Sequence, residues 1–181
     1  NRFTLPGSKN LPNSLLLANM DALRCRDTTV LLHCAGRTRS IIGAHTLRAA
    51  GYEGNFAIFR GGTQAWELNG FTREHGATHT IAAPTESIES IANFLDRWQI
   101  RATKIRSADL DAFIRSRHDH LLFDVSDDAA NGDLLAQRVI KISGTNLVQQ
   151  TDRSITRYHM PIILFDTESG CRAAFAAFWL S

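Results

Sequence analysis

Short apolar runs alternate along this chain with longer stretches whose apolar positions recur at helical spacing. The runs are rich in branched and aromatic side chains, which predicts buried strands at 29–33, 55–59, 120–125 and 160–165. The amphipathic stretches predict helices at 15–23, 40–50, 63–68, 85–98, 107–117 and 172–180. Strands and helices that alternate at this pitch are typical of an α/β fold with a parallel sheet flanked by helices.

The order of elements occurs twice, which indicates an internal repeat. A Pro/Gly-containing loop, a helix and a strand precede Cys34, and a Ser-Gly loop and a strand precede Asp166. We therefore expect two tandem units, each incomplete in this chain. Residues 1–75 are interpreted as the C-terminal part of one domain, 76–100 as a linker with a connecting helix, and 101–181 as the N-terminal part of a second domain. On this interpretation the chain is a piece of a longer protein, and a dimer or further domains complete the fold.

Composition narrows the class of protein. The 181 residues are 44% hydrophobic and 21% charged, which is ordinary for a globular protein, and no apolar stretch approaches the length of a membrane span. A net charge of +2 does not indicate nucleic-acid binding. The cysteines Cys25, Cys34 and Cys171 form no CxxC pair, so we expect neither a zinc site nor a disulfide scaffold. A sparse, odd set of cysteines favours a reducing cytoplasm.

The segment that follows the first predicted strand carries the chemistry. Cys34 stands at the end of an apolar strand, Gly36 allows the next loop to fold inward, and a helix begins near Ser40. The amides of residues 35–39 can then surround a sulfur atom or an oxyanion, and Arg37 and Arg39 add positive charge. A cysteine after a strand is often only a small buried apolar residue. A buried core does not require the two arginines and the glycine that follow Cys34, so these residues favour a functional site.

A cysteine in such a loop serves one of two chemistries, in which the loop surrounds either a tetrahedral oxyanion or a single sulfur atom. Tyrosine-phosphatase-type enzymes and some arsenate reductases place five residues between the cysteine and an arginine. Here Ser40 occupies that sixth position and the basic residue is Arg39, one step earlier. The shorter loop favours a single sulfur atom over a tetrahedral oxyanion. The adjacent His33 should point to the opposite face of the strand, and we expect it to be structural.

Several motifs together resemble the rhodanese-like sulfurtransferases. The loop of Cys34, Ala35, Gly36, Arg37, Thr38, Arg39 and Ser40 is similar to the family's active-site loop. The segment 61–66 with Gly70 is similar to its GG-xxx-W…G signature. Residues 5–12 resemble the stretch before the active-site strand, and 122–126 resemble the strand that opens a second unit, with serine in place of the usual arginine. The similarity is greatest to bacterial proteins with several rhodanese domains in tandem.

This resemblance implies a sulfurtransferase whose nucleophile is Cys34 and whose remaining loop residues, 35–40, bind the substrate. Cys34 would take a sulfane sulfur from a small anionic donor such as thiosulfate, become a persulfide, and pass the sulfur to a thiol or to cyanide. The transient persulfide is the only group required, without a cofactor, metal, nucleic acid or membrane.

The second unit departs from the family pattern. Asp166 occupies the position of the nucleophile, and a carboxylate cannot carry a sulfane sulfur. Cys171 stands five positions later and is not the nucleophile by loop register. We therefore expect the second unit to be inactive. The alternatives for the whole chain are a non-catalytic rhodanese-like interaction or regulatory module and, further away, a cysteine-based phosphatase or arsenate reductase.

Overall fold

The chain divides into two compact units, Asn1–Ser87 and Ile88–Ser181, and each is described by itself. The structure is a computed structural model that describes residues 3–24, 28–81, 88–116, 119–126, 139–167 and 169–181. The expectations for Cys25 and for the start of the helix predicted at 85 lie outside the described residues. The boundary between the units falls inside the predicted connecting segment, 76–100.

In the first unit two parallel strands lie between helices. Its elements are β1 (Phe3–Thr4), α1 (Met20–Leu23), β2 (Thr29–Leu32), α2 (Arg39–Ala49), β3 (Asn55–Ile58), α3 (Gly62–Leu68) and β4 (Glu74–His75). β2 and β3 pair in parallel, as the crossover through α2 predicts, and Leu32 stands beside Ile58. β1 and β4 form a separate antiparallel pair. Strands of two residues have no hydrophobic periodicity, so the sequence does not predict them.

The helix predicted at 15–23 is wrong in part. Two 3-10 turns, Asn13–Leu15 and Leu17–Asn19, precede the single turn of α1. The Asn19 side chain donates to the carbonyl oxygen of Leu15 at 2.8 Å, and such local bonds compete with the α-helical pattern. The segment still buries Leu16 and Leu17.

The core of the first unit lies between α1, α2 and one face of the β2–β3 pair. It is built on Leu16, Leu23, Leu47 and Tyr52, and the strand residues that pack against it include Val30, Leu32 and Phe56. The Tyr52 hydroxyl donates to the carbonyl oxygen of Leu23 at 2.6 Å, which satisfies a buried polar group. This core fixes β2, and with it the point at which Cys34 leaves the strand.

The second unit contains a three-stranded parallel sheet in the order β6–β5–β7. Its elements are α4 (Ile88–Arg97), α5 (Ser107–Ser116), β5 (Leu121–Asp124), β6 (Ile140–Lys141), α6 (Gly144–Gln149), α7 (Thr151–Ser154), β7 (Ile162–Phe165) and α8 (Cys171–Leu180). Its core is formed by Phe123, Val125, Leu147 and Ala176. Both units thus have parallel strands flanked by helices. Within the described residues, no helix combines the length and the apolar character needed to cross a membrane.

Candidate active site

Cys34 lies at the carboxyl edge of the β2–β3 pair, between the end of β2 and the start of α2. The backbone N–H of Phe59 donates to the carbonyl oxygen of Leu32 at 2.8 Å, so the two strands stay in register up to the loop. The Cys34 side chain is half-buried. The fold therefore places the thiol in a partly enclosed position that a small molecule can reach.

Hydrogen-bond donors of the loop converge on the Cys34 sulfur. The backbone N–H of Gly36 lies 3.4 Å from Sγ, and the Ser40 hydroxyl oxygen lies 3.5 Å from it. Burial raises the pKa of the Cys34 thiol, but hydrogen bonds from the Ser40 hydroxyl and from the backbone of Gly36, Ser40 and Arg37 outweigh it and lower the pKa from 9.0 to about 7. At pH 7 roughly half of the sulfur is therefore thiolate, the form that acts as a nucleophile.

Removal of the Ser40 hydroxyl tests this account of the thiol. In Ser40→Ala the pKa of Cys34 should rise, because the strongest of the hydrogen bonds that lower it is lost. A bond of about 1 kcal/mol corresponds to a roughly fivefold slower alkylation by iodoacetamide at pH 6, where the thiolate fraction limits the rate. At pH 10 the Cys34 thiol is ionised in both proteins, and iodoacetamide should alkylate both at the same rate.

The pH profile of alkylation, followed by mass spectrometry, checks this prediction. Ser116→Ala, which removes a surface hydroxyl from α5, is the control and should leave the midpoint unchanged. An unshifted midpoint in Ser40→Ala would show that Ser40 does not stabilise the thiolate.

The other residues of the predicted loop lie around the sulfur in two groups. Ala35 is half-buried and Ser40 is buried, whereas Arg37, Thr38 and Arg39 are exposed. Neither arginine has an ion-pair partner within the described part of the chain, so both guanidinium groups are open to an anion. The sequence predicts that the amides of 35–39 contact the sulfur. The structure assigns the contacts to residues 36, 37 and 40.

The double glycine Gly61-Gly62 and the start of α3 pack against the cysteine loop. The N–H groups of Thr63 and Gln64, at the start of α3, donate to the carbonyl oxygens of Cys34 (2.9 Å) and Ala35 (3.4 Å). A Cβ on Gly62 would overlap the Cys34 carbonyl oxygen and come within 2.6 Å of the Gly36 nitrogen. Only glycine permits this approach, so the double glycine and the cysteine loop form one structural unit.

Gly36 is equally constrained. Its φ is 125°, and a Cβ there would collide with the carbonyl oxygen of Gly61. Its N–H donates to the Cys34 sulfur at 3.4 Å. The conformation that aims this N–H at the sulfur is therefore open to glycine alone.

His33 supports the loop without contacting the sulfur, as the alternation of a strand predicts. Its Nε2 lies within hydrogen-bond distance of the hydroxyls of Ser8 (3.0 Å) and Thr4 (3.4 Å). Burial lowers the pKa of His33, which favours the neutral ring. The segment that precedes the active-site strand is thus attached to that strand.

Asn13 connects the same region to α2. Its side-chain amide donates to the carbonyl oxygen of Arg39 at 2.7 Å. The side chain makes no capping hydrogen bond within its own 3-10 turn. It reaches across to the loop because the 3-10 turn brings it beside α2, a contact that no local pattern reveals.

The corresponding strand end of the second unit holds a carboxylate. The Asp166 side chain is 3% exposed and accepts from the N–H groups of Thr167 (2.8 Å) and Ala173 (3.0 Å). The Arg172 guanidinium, 13% exposed, lies 3.6 Å from it. Donors and a cation thus already surround an anion that belongs to the chain.

Comparisons with known proteins agree with this geometry. Residues 1–69 match the family model of the rhodanese-like domain. The whole chain is similar to the crystal structure of thiosulfate sulfurtransferase from Pseudomonas aeruginosa, with a TM-score of 0.74 and 28% identity. The match covers 99% of this chain and 35% of that one, so the chain spans about a third of that protein's length. No curated protein matches the sequence.

These findings confirm the rhodanese resemblance and the α/β fold with parallel sheets flanked by helices. The sequence also pointed to the double glycine, but only as a signature and as a break between strand and helix. It did not reveal that Gly62 lies against the Cys34 carbonyl oxygen or that Gln64 lies beside Gly36. The signal that could have found them is the pair of glycines itself, because two in succession indicate a close approach of backbones.

Proposed function

We propose that the first unit is a sulfurtransferase that accepts a sulfane sulfur from thiosulfate on Cys34 and passes it to a thiol or to cyanide. The observation that carries the proposal is the half-buried Cys34 sulfur, held by the Gly36 N–H and the Ser40 hydroxyl with a pKa lowered to about 7. A thiol of this kind is ionised without a separate general base.

The transfer needs no reagent beyond donor and acceptor. The Cys34 thiolate attacks the outer sulfur of thiosulfate, a new S–S bond forms, and the old S–S bond breaks with its electron pair leaving on sulfite. The thiolate of the acceptor then attacks the outer sulfur of the persulfide, and Cys34 leaves as a thiolate. The amides that stabilise the thiolate can stabilise the anionic persulfide in the same place.

The exposed arginines of the loop serve the anionic donor. Arg37 and Arg39 are planar, permanently charged donors suited to a sulfonate group. In this proposal they orient the oxygens of thiosulfate so that its outer sulfur faces Cys34, and they stabilise the departing sulfite. Two charges suit a dianion such as thiosulfate better than a singly charged donor.

The second unit is proposed to be a rhodanese-like unit without transferase activity. The buried ion pair of Asp166 and Arg172 occupies the place in which the first unit holds its thiol. The proposed division is a catalytic part in 1–75, a connection in 76–100 and the inactive part in 101–181, with a dimer or further domains completing the fold. The sparse cysteines support a cytoplasmic location for this proposal.

Mass spectrometry of the intact chain after incubation with thiosulfate tests the function. We expect an adduct of one sulfur atom on the peptide that contains Cys34, and its loss with production of thiocyanate when cyanide is added. The absence of any adduct would contradict the transferase and favour an interaction module. Hydrolysis of a phosphate ester without sulfur uptake would instead favour a phosphatase.

A further inference from the structure

The Gln64 side chain lies against Gly36, although Gln64 itself is outside the cysteine loop. Its Oε1 lies 3.1 Å from the point at which a Cβ on Gly36 would stand. The N–H of Gly36 in turn lies 3.4 Å from the Cys34 sulfur. The Gln64 carboxamide and the Cys34 sulfur are therefore both neighbours of Gly36.

The backbone of Gln64 is bound to the cysteine loop, whereas the residue is exposed to solvent. Its backbone N–H donates to the carbonyl oxygen of Ala35 at 3.4 Å, which attaches it to the loop. The residue as a whole is nevertheless exposed. The carboxamide thus belongs to an exposed residue beside the cysteine loop, and a carboxamide can donate to an oxyanion without adding a charge.

We propose that Gln64 is a specificity-determining residue that contacts the oxyanion end of the sulfur donor. This inference rests on the proposed sulfur transfer. A tetrahedral sulfonate offers three oxygens. The loop supplies the cations of Arg37 and Arg39, and the start of α3 supplies the neutral amide of Gln64. Gln64 acts on binding of the anionic donor and leaves the reactivity of the thiolate unchanged.

Two substitutions separate this role from a structural one. Gln64→Leu keeps the volume and removes the hydrogen bonds, and Gln64→Glu adds a negative charge that repels thiosulfate. At pH 9 and low ionic strength, sulfur uptake from thiosulfate should slow about fivefold in the first variant and about twentyfold in the second. Alkylation of Cys34 by iodoacetamide, which is uncharged, should stay within about twofold of the original rate in both.

Asn55→Asp is the matched control, since it makes the same change from amide to carboxylate at the opposite end of β3, and it should alter neither rate. Equal slowing of sulfur uptake and alkylation would show that Gln64 only supports the loop. Unchanged uptake in both variants would likewise overturn the inference. If the unsubstituted chain takes up no sulfur at all, the proposed function itself fails. If the unsubstituted chain takes up sulfur and both variants do so at the same rate, only the inference about Gln64 fails.

Discussion

Substitution of Cys34 by alanine is expected to abolish the uptake of sulfur from thiosulfate. The sulfur that accepts the transferred atom is then absent, and no other group of the loop can form a persulfide. The loss should exceed about a thousandfold, because the loop amides have no nucleophile left to stabilise. Intact-mass measurement after incubation with thiosulfate should show no added sulfur.

Cys171→Ala is the matched control for this experiment. Cys171 begins α8 and is fully buried, so a donor cannot reach its sulfur, and alanine is small enough for the site. We expect this variant to take up one sulfur atom at the rate of the unsubstituted chain. Loss of the adduct in Cys171→Ala with its retention in Cys34→Ala would reverse the assignment of the nucleophile.

Gly62→Ala is expected to cost about a hundredfold in the rate of sulfur uptake. Its methyl group would overlap the Cys34 carbonyl oxygen and press on the Gly36 nitrogen, the atom that donates to Sγ. The loop must then move, and a displacement of about 1 Å at a reacting group is enough for an effect of this size. The pKa of Cys34 should rise in the same variant because the N–H of Gly36 no longer points at the sulfur.

Gly70→Ala separates this contact from backbone strain. Gly70 has a φ of 82°, further into the region that L-residues avoid than the 54° of Gly62, yet a Cβ there has no atom within 4 Å. Both substitutions cost about 1–2 kcal/mol of backbone strain, which lowers the melting temperature. Only Gly62→Ala should slow sulfur uptake, measured by rapid quenching and mass spectrometry. Similar slowing in both variants would contradict the proposed role of the contact between Gly62 and the cysteine loop.

The strand end of the second unit carries Asp166, which the sequence places at the position of the nucleophile. Asp166 at the nucleophile position excludes sulfur transfer without any coordinates, because a carboxylate carries no sulfane sulfur. The structure adds that the carboxylate is buried and surrounded by its own donors, including Arg172. The partners of this ion pair are six positions apart in the chain, and the loop geometry decides that they meet.

The helix predicted at 15–23 is wrong in part because local hydrogen bonds change its type. Its apolar spacing is correct, and Leu16 and Leu17 are buried as the pattern indicates. The backbone up to Asn19 is nevertheless 3-10, because the Asn19 side chain donates to the Leu15 carbonyl oxygen and the Asn13 side chain donates to that of Arg39. Hydrophobic periodicity reports which face is buried, whereas hydrogen bonds from side chains decide the type of turn.

The sequence by itself determined the α/β class, the parallel strands, the position of the thiol at a strand end and the loop that follows it. These properties follow from apolar spacing and from glycine and cysteine at particular positions, so they are local. The tertiary structure alone decided which donors reach the Cys34 sulfur and that Gly62 and Gln64, far along the chain, lie against the loop. Such contacts depend on how β2, β3 and α3 pack in space, and no spacing along the chain encodes that packing directly.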